Sequence, residues 1–172
     1  MADKRLIVIG AGASGLMAAG RAAELGARVT LLEKTDRPGK KILISGRTRC
    51  NLTNQKDLDD FILMYGSNGR FLYRAFNHFS RDDLLAFLRS YGVETKTERG
   101  GRIFPVSDDA RDIVTAFKRY LADHDVQVKT NNRVTEIMVD EGHVIGIRTE
   151  QEKYPAAAVV LATGGASFPG TG

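Results

Sequence analysis

Gly10, Gly12 and Gly15 follow the aliphatic run Leu6-Ile-Val-Ile9 and open a stretch of small residues. Between a buried strand and a helix, glycines at this G-x-G-x-x-G spacing suit the pyrophosphate of a dinucleotide. Gly10 allows the tight turn, Gly12 lets the backbone approach the phosphates, and Gly15 lets the helix lie on the strand. The free N–H groups of the first helical turn, at Ala13, Ser14 and Gly15, would meet the phosphate at the positive end of the helix. Glu33 closes the next strand, where a carboxylate can accept hydrogen bonds from both adenosine ribose hydroxyls and repel a 2′-phosphate. Lys34 beside it is read as part of the same site.

These residues need a strand–helix–strand unit to position them, and the pattern supplies one. Residues 5–9 read as a buried strand, 13–25 as a helix stopped by Gly26, and 28–33 as a second strand. Ala18, Ala19, Gly20, Ala22 and Ala23 make that helix thin enough to lie close on a sheet. Residues 35–54 read as a loop punctuated by Pro38, Gly39 and Gly46, with a brief apolar run at 42–44. Residues 57–91 read as helical, with Ser80 and Asp83 spaced for a capping box. A hairpin is expected around Gly100-Gly101, ending at Pro105. Ser107 and Asp108 offer caps for a helix to about residue 124, with an apolar face of Ala110, Ile113, Val114, Phe117 and Leu121.

A third parallel strand is expected at 126–128, and a hairpin at 133–149 about Asp140-Glu141-Gly142. A buried strand at 156–162 then runs into Thr163-Gly164-Gly165. The fold class is therefore α/β, a Rossmann-like FAD/NAD(P)-binding fold with a parallel sheet, a helix layer and an antiparallel meander. The reading takes 1–172 as one dinucleotide-binding domain with a helical insertion at about 57–106. The chain stops in a glycine-rich loop two residues after Gly170, with nothing following to cover the last strand. A domain cut from a longer protein is the expectation.

Composition limits the partners. Hydrophobic residues at 42% and charged residues at 27% are ordinary for a soluble globular chain of 172 residues. The net charge of +4 is mild, and no basic block suggests a nucleic-acid arm, so no nucleic-acid partner is expected. No apolar run reaches the roughly 18 residues of a membrane span, and no membrane partner is expected. Lys4 and Arg5 before an apolar run imitate a short signal peptide, but the glycine spacing, Arg21 and Glu24 oppose that reading. The single cysteine, Cys50, excludes an internal disulfide or a redox cysteine pair and fits a cytoplasmic location.

Two features select among dinucleotides. A nicotinamide dehydrogenase continues with a third strand soon after the acid, whereas this chain enters a long loop and a helical segment. The late strand ending Ala162-Thr163-Gly164 resembles FAD domains in which such a strand brings backbone close to the cofactor. The run Gly39-Lys-Lys-Ile-Leu-Ile-Ser45-Gly46-Arg-Thr-Arg49-Cys50-Asn51-Leu-Thr-Asn54 resembles the signature of bacterial aminoacetone-oxidase-like or bile-acid-reductase-like flavoproteins. The ending Ala162-Thr-Gly-Gly-Ala-Ser-Phe-Pro169 resembles it too.

The resemblance implies an FAD domain assembled from both ends of a chain about twice as long, with a substrate domain inserted. It implies that Gly10, Gly12 and Gly15 hold the pyrophosphate, Glu33 the ribose, and the Val134 backbone the adenine. It further implies Ala162, Thr163 and Gly164 near the cofactor, and Lys41, Ser45, Gly46 and Asn51 along its ribityl and flavin end. Many relatives carry only glycine where this chain has Arg47 and Thr48.

The remaining groups are ambiguous. Arg49 suits a substrate carboxylate, the cofactor phosphates, or a brace within the loop. Cys50 reads as a small buried residue, with a redox or nucleophilic role as the alternative and no base beside it in sequence. His78, His124 and His143 share no metal-ligand spacing and read as surface or loop residues, and no metal is expected. Phe61, Tyr65, Phe71, Tyr73, Phe76 and Phe79 could line a ligand channel, although helical spacing favours core.

The expected activity is hydride exchange between a small organic substrate and FAD, with NAD(P)H or oxygen as redox partner. No catalytic acid–base pair is evident, so the segment should grip a cofactor without catalysing alone. An NAD-dependent dehydrogenase and a non-catalytic nucleotide-binding module are the rival readings.

Overall fold

The computed structural model describes residues 5–165. Lys4, residues 166–169 of the glycine-rich ending and the stop at Gly172 lie outside the described residues. In chain order the first elements are β1 (Arg5–Ile9), α1 (Ala13–Glu24), β2 (Arg28–Leu32), α2 (Lys40–Ile44) and β3 (Thr53–Asn54). Three helices follow, α3 (Leu58–Leu63), α4 (Tyr73–His78) and α5 (Arg81–Ser90), with a 3-10 segment over Gly66–Leu72. Then come β4 (Thr95–Glu98), β5 (Arg102–Pro105), α6 (Ala110–Asp123) and β6 (Gln127–Lys129). The last are β7 (Val134–Asp140), β8 (His143–Thr149), β9 (Lys153–Pro155) and β10 (Ala158–Leu161). The chain divides into two compact units, one running to Ile42 and resuming at Phe117, the other Leu43–Ala116.

The first unit is the Rossmann-like one. Its four-stranded parallel sheet has the order β10-β1-β2-β6, with Ile9 level with both Leu32 and Leu161. β7, β8 and β9 form a separate antiparallel meander. Its first turn is two residues, Glu141 at φ 46° and Gly142 at φ 79°. Two consecutive left-handed residues give the hairpin the right-handed twist its strands need. Ile7, Ile9, Leu32, Ile147 and Ala156 form one buried cluster against which Val134, Tyr154 and Val159 pack, so sheet and meander share a core.

α1 ends as its glycine requires. Gly26, at φ 87°, donates to the Ala23 carbonyl at 2.8 Å, and Ala27 donates to Ala22 at 3.0 Å. The thinness of α1 has a second cause besides the sheet. A Cβ on Gly20 would lie 2.1 Å from the ring of Tyr120, a residue of α6 only 5% exposed. The Tyr120 hydroxyl donates to the Glu24 carboxylate at 2.9 Å, which fixes the ring over the glycine.

The second unit holds α3–α5 and a three-stranded antiparallel sheet of order β3-β5-β4. The segment 57–106, expected as a helical insertion, falls inside it. The capping box at the start of α5 is present in full, with Ser80 accepting from the Asp83 N–H and the Asp83 carboxylate accepting from the Ser80 N–H.

Four expectations are corrected. Residues 35–54 are not all loop: the apolar run is one turn of helix, α2, too short for periodicity to reveal, and Thr53–Asn54 pairs with β5. Asp108 does not cap α6. It sits at φ 56° with its carboxylate committed to ion pairs, and Asp109 instead accepts from the Arg111 N–H at 2.8 Å. β10 is shorter than expected and is not fully buried; as an edge strand with one neighbour among the described residues, it leaves Leu161 65% exposed. The aromatic residues at 61–79 are not core, for none of the six is buried.

Gly20→Ala gains about 1 kcal/mol of helix propensity. It is nonetheless expected to lower the unfolding free energy by about 1–3 kcal/mol, because the buried Tyr120 ring must be displaced. Urea denaturation measures this; an unchanged or raised midpoint would contradict the packing account.

Candidate dinucleotide-binding site

The glycine turn lies at the carboxyl end of β1, held there by a hydrogen bond from the Gly10 N–H to the Leu32 carbonyl at 2.8 Å. Gly10 has φ 99°, and a Cβ there would lie 2.6 Å from the Ala162 carbonyl oxygen. At Gly15 a Cβ would lie 1.8 Å from the Gly10 carbonyl oxygen and 3.3 Å from the Ala162 side chain. Gly12 is the opposite case. It precedes α1 in extended backbone, and a Cβ there would meet nothing within 4 Å. Gly10 and Gly15 are thus demanded by protein packing, whereas the space beside Gly12 is open.

The first turn of α1 carries no acidic residue and no side-chain cap. Its N–H groups, including those of exposed Ala13 and Ser14, present a positive helix end with no competing carboxylate.

Glu33 stands at the end of β2 and is fixed by two backbone donors. The Ala11 N–H donates to its Oε2 and the Thr35 N–H to its Oε1, both at 2.9 Å. A carboxylate offers about four lone-pair sites, so accepting capacity remains on both oxygens. The Gly39 N–H in turn donates to the Ala11 carbonyl at 2.8 Å, joining the following loop to the glycine turn. Ala11, Thr35 and Gly39 are parts of the site that the sequence reading passed over. The only signal was Gly39 itself, whose φ of 77° suits a turn glycine.

The Ala162 N–H donates to the Ile9 carbonyl at 2.9 Å, carrying the sheet pattern of β10 one residue further. Gly164 follows at φ 86°, where a Cβ would lie 3.6 Å from the Lys41 ammonium. Lys41 and Gly164, named separately from sequence, are therefore neighbours. Val134 is half-buried against the shared core at the start of β7. Lys34 is exposed.

Ser45, Gly46 and Asn51 lie in the second unit and come together in one tight turn. Gly46 has φ 57°, and a Cβ there would lie 2.7 Å from the Asn51 nitrogen and 3.2 Å from the Phe104 ring. Arg47, Thr48 and Cys50 take left-handed φ of 56°, 69° and 60°. That is glycine territory, and for a β-branched threonine a marked exception.

Arg49 serves as the brace. Its guanidinium donates to both Glu98 oxygens at 2.8 and 3.2 Å and to Asp108 at 3.1 Å. It also lies 4.2 Å from the centroid of the buried Phe104 ring. Lys96 donates to Asp108 at 2.6 Å, and with Arg49 it holds that carboxyl below its ordinary range. Cys50 is buried; burial pushes its thiol up, against a hydrogen bond with Ser45, so it is a protonated packing residue at neutral pH. Of the histidines, His78 and His143 are exposed and His124 half-buried. Among the described residues no His, Cys, Asp or Glu group could hold a metal ion. No helix there is long and apolar enough to cross a membrane.

Comparison with known proteins adds a family. Residues 4–172 match the family described as the HI0933-like protein Rossmann domain. The chain is 37% identical to the 3-dehydro-bile acid delta(4,6)-reductase of Clostridium scindens, over 94% of this chain and 39% of that protein. It is 32% identical to the ribosomal RNA dihydrouridine synthase of Escherichia coli, over 96% of this chain and 40% of that protein. It therefore spans about two fifths of the length of these relatives. Among solved structures, the open conformation of a flavocytochrome c3 fumarate reductase matches with a TM-score of 0.71 at 25% identity, over 94% of this chain and 33% of that one. A relative named for ribosomal RNA runs against the expectation that nucleic acid plays no part.

Two stability outcomes follow from these contacts. Glu33→Ala strands the Ala11 and Thr35 N–H groups and is expected to cost about 1–3 kcal/mol. Equilibrium denaturation without added nucleotide reads this; no loss would mean that water replaces the carboxylate freely. Thr48→Gly relieves a left-handed β-branched residue worth about 1–2 kcal/mol, less a glycine entropy cost of roughly 0.5–1 kcal/mol. A small rise in melting temperature is expected, and a fall would contradict the strained backbone.

Proposed function

The chain belongs to the HI0933-like Rossmann-domain family, and on that premise we propose that it is the FAD-binding part of a flavin-dependent oxidoreductase. The observation that carries this reading is the junction of the Gly10–Gly15 turn with Ala162, beside a Glu33 fixed by two backbone donors. These residues fit the cofactor. Open space at Gly12 and an acid-free helix start suit a pyrophosphate, and a carboxylate at Glu33 suits a ribose without a 2′-phosphate.

In this reading Gly10, Gly12, Ala13, Ser14 and Gly15 hold the pyrophosphate, while Glu33 accepts from the adenosine ribose, with Lys34 at its side. The Val134 backbone meets the adenine. Ala162, Thr163 and Gly164 approach the cofactor, and the Lys41 ammonium beside Gly164 supplies positive charge. Ser45, Gly46 and Asn51 serve the ribityl and flavin end, on a turn whose shape Arg49 maintains. Bound FAD supplies hydride chemistry; the chain's own task is to grip, orient and set the local charge.

The names of the two relatives narrow the substrate. Reducing the delta-4 and delta-6 double bonds conjugated with a 3-oxo group, and converting uridine to dihydrouridine, both add hydrogen across a carbon–carbon double bond conjugated to a carbonyl. The whole protein's reaction is read as that reduction, in a cytoplasmic enzyme with NAD(P)H as electron source. A small cyclic enone is the first substrate class. Uridine in RNA is the second, favoured by the 32% identity to the E. coli enzyme.

Full-length protein incubated with FAD and desalted is expected to stay yellow, with flavin absorbance near one equivalent. Gly12→Asp puts a carboxylate where the phosphates bind, on a Cβ that meets nothing within 4 Å. It is expected to weaken FAD at least about tenfold, or 1.4 kcal/mol, at unchanged melting temperature. Colourless protein that binds NADH and not FAD would overturn the reading. Reoxidation of the chemically reduced protein by a cyclic enone, or by uridine-containing RNA, distinguishes the two substrate classes.

A further inference from the structure

The second unit contains a cleft of about 340 Å³ built wholly from residues 52–84. That volume is at the lower end of the range for small-molecule pockets, about 300–1,000 Å³. Four of its wall residues are the aromatics Phe61, Tyr65, Phe76 and Phe79. Phe61 meets Tyr65 and Phe76 edge to face, with centroids 5.5 and 5.4 Å apart. Yet none of these rings is buried, and Tyr65 is 48% exposed. An aromatic wall that borders a hollow instead of filling it leaves apolar surface for a ligand to cover.

The cleft is preformed. The Arg81 guanidinium, at the start of α5, donates to the backbone carbonyls of Gln55 and Lys56 at 2.8 and 3.2 Å. This clips α5 to the segment leading into α3. Asp57 caps α3 by accepting from the Asp60 N–H at 2.9 Å, so both helix starts on the wall are locked. A site held open in this way spends little binding energy on ordering itself.

The wall's charges select against ions. Lys56 and Arg81 balance Asp57 and Asp82, and each is engaged. Lys56 lies 3.6 Å from Asp60, Arg81 pairs with Asp82 at 2.8 Å, and Asp57 serves as a cap. The Asn54 amide is also committed, to the Gly100 carbonyl and the Lys56 N–H. No excess charge remains to draw an ion, while ring surface is plentiful.

We propose that this cleft binds an uncharged small molecule built on one or two fused rings. The site is independent of the FAD reading, since none of its residues belongs to the proposed cofactor set. Saturation-transfer NMR on the full chain tests it, with 1-naphthol, 1-naphthoate and 1-naphthylmethylammonium as probes. Saturable binding is expected, with the neutral probe tighter than either ion. Phe76→Ala removes one edge-to-face partner and should weaken 1-naphthol up to about tenfold. Leu84→Trp fills the hollow and should abolish binding, with circular dichroism verifying the fold. Phe71→Ser, at a ring 87% exposed and outside this wall, should leave it unchanged. Absent or non-saturable binding, equal binding of all three probes, or binding that survives in a folded Leu84→Trp protein would each overturn the proposal.

Discussion

No room exists for one methyl group between α1 and the strand that precedes it, and the first unit is arranged around that gap. A Cβ on Gly15 would sit 1.8 Å from the Gly10 carbonyl oxygen. Because the gap is closed, the helix start stands directly over the end of β1. Because it stands there, Gly10 must turn back under Ala162, whose carbonyl crowds it in the same way. The Ala11 N–H is then delivered to Glu33 and its carbonyl to Gly39. Three stretches distant in sequence are thereby fixed by one close approach. Interiors pack like crystals, with little slack to absorb an added atom, so the arrangement tolerates little substitution at those two glycines and much more at Gly12.

The turn in the second unit is held by opposite means. Its backbone sits in a region that its side chains disfavour, with Arg47, Thr48 and Cys50 all left-handed. The countervailing forces are long-range in sequence: Arg49 reaches Glu98 and Asp108, and the Thr48 carbonyl accepts from the Ala110 N–H at 2.9 Å. Strain of this kind persists only where its surroundings over-determine it. The ionic cluster is partly solvated, so each pair is weak on its own. Stacking on Phe104 and the sharing of Asp108 between two cations make it a network.

Much of the first unit could be read in advance, because its signals are local. A glycine spacing, a helix stop at Gly26 and a turn at Asp140-Glu141-Gly142 each announce themselves in the local sequence. The capping box at Ser80 and Asp83 is the same kind of signal. What was missed depends on partners remote in sequence. Asp108 carries the residue type of a cap, but Lys96 and Arg49 claim its carboxylate, and the role passes to Asp109. Arg49 could not be told from a ligand-binding residue until Glu98 and Phe104 were in place around it. The aromatics at 61–79 follow helical spacing, yet the helices there are six residues long and separated by a 3-10 segment. No single apolar face forms, and four of the rings, those of Phe61, Tyr65, Phe76 and Phe79, border a cleft. Ala11 and Thr35 act through backbone N–H groups, which no side-chain pattern reveals.

The pairing of β1 with β10 also sets a clock on biosynthesis. Leu6 lies level with Ala158, so the turn leaves the ribosome long before the strand that must close over it. At about 5–20 residues per second, that interval is on the order of ten seconds. Throughout it the apolar edge of β1 has no partner on that side, and its register must await a contact of very long loop closure. A nascent chain in this window carries that edge unpaired, and open to mispairing, until β10 emerges.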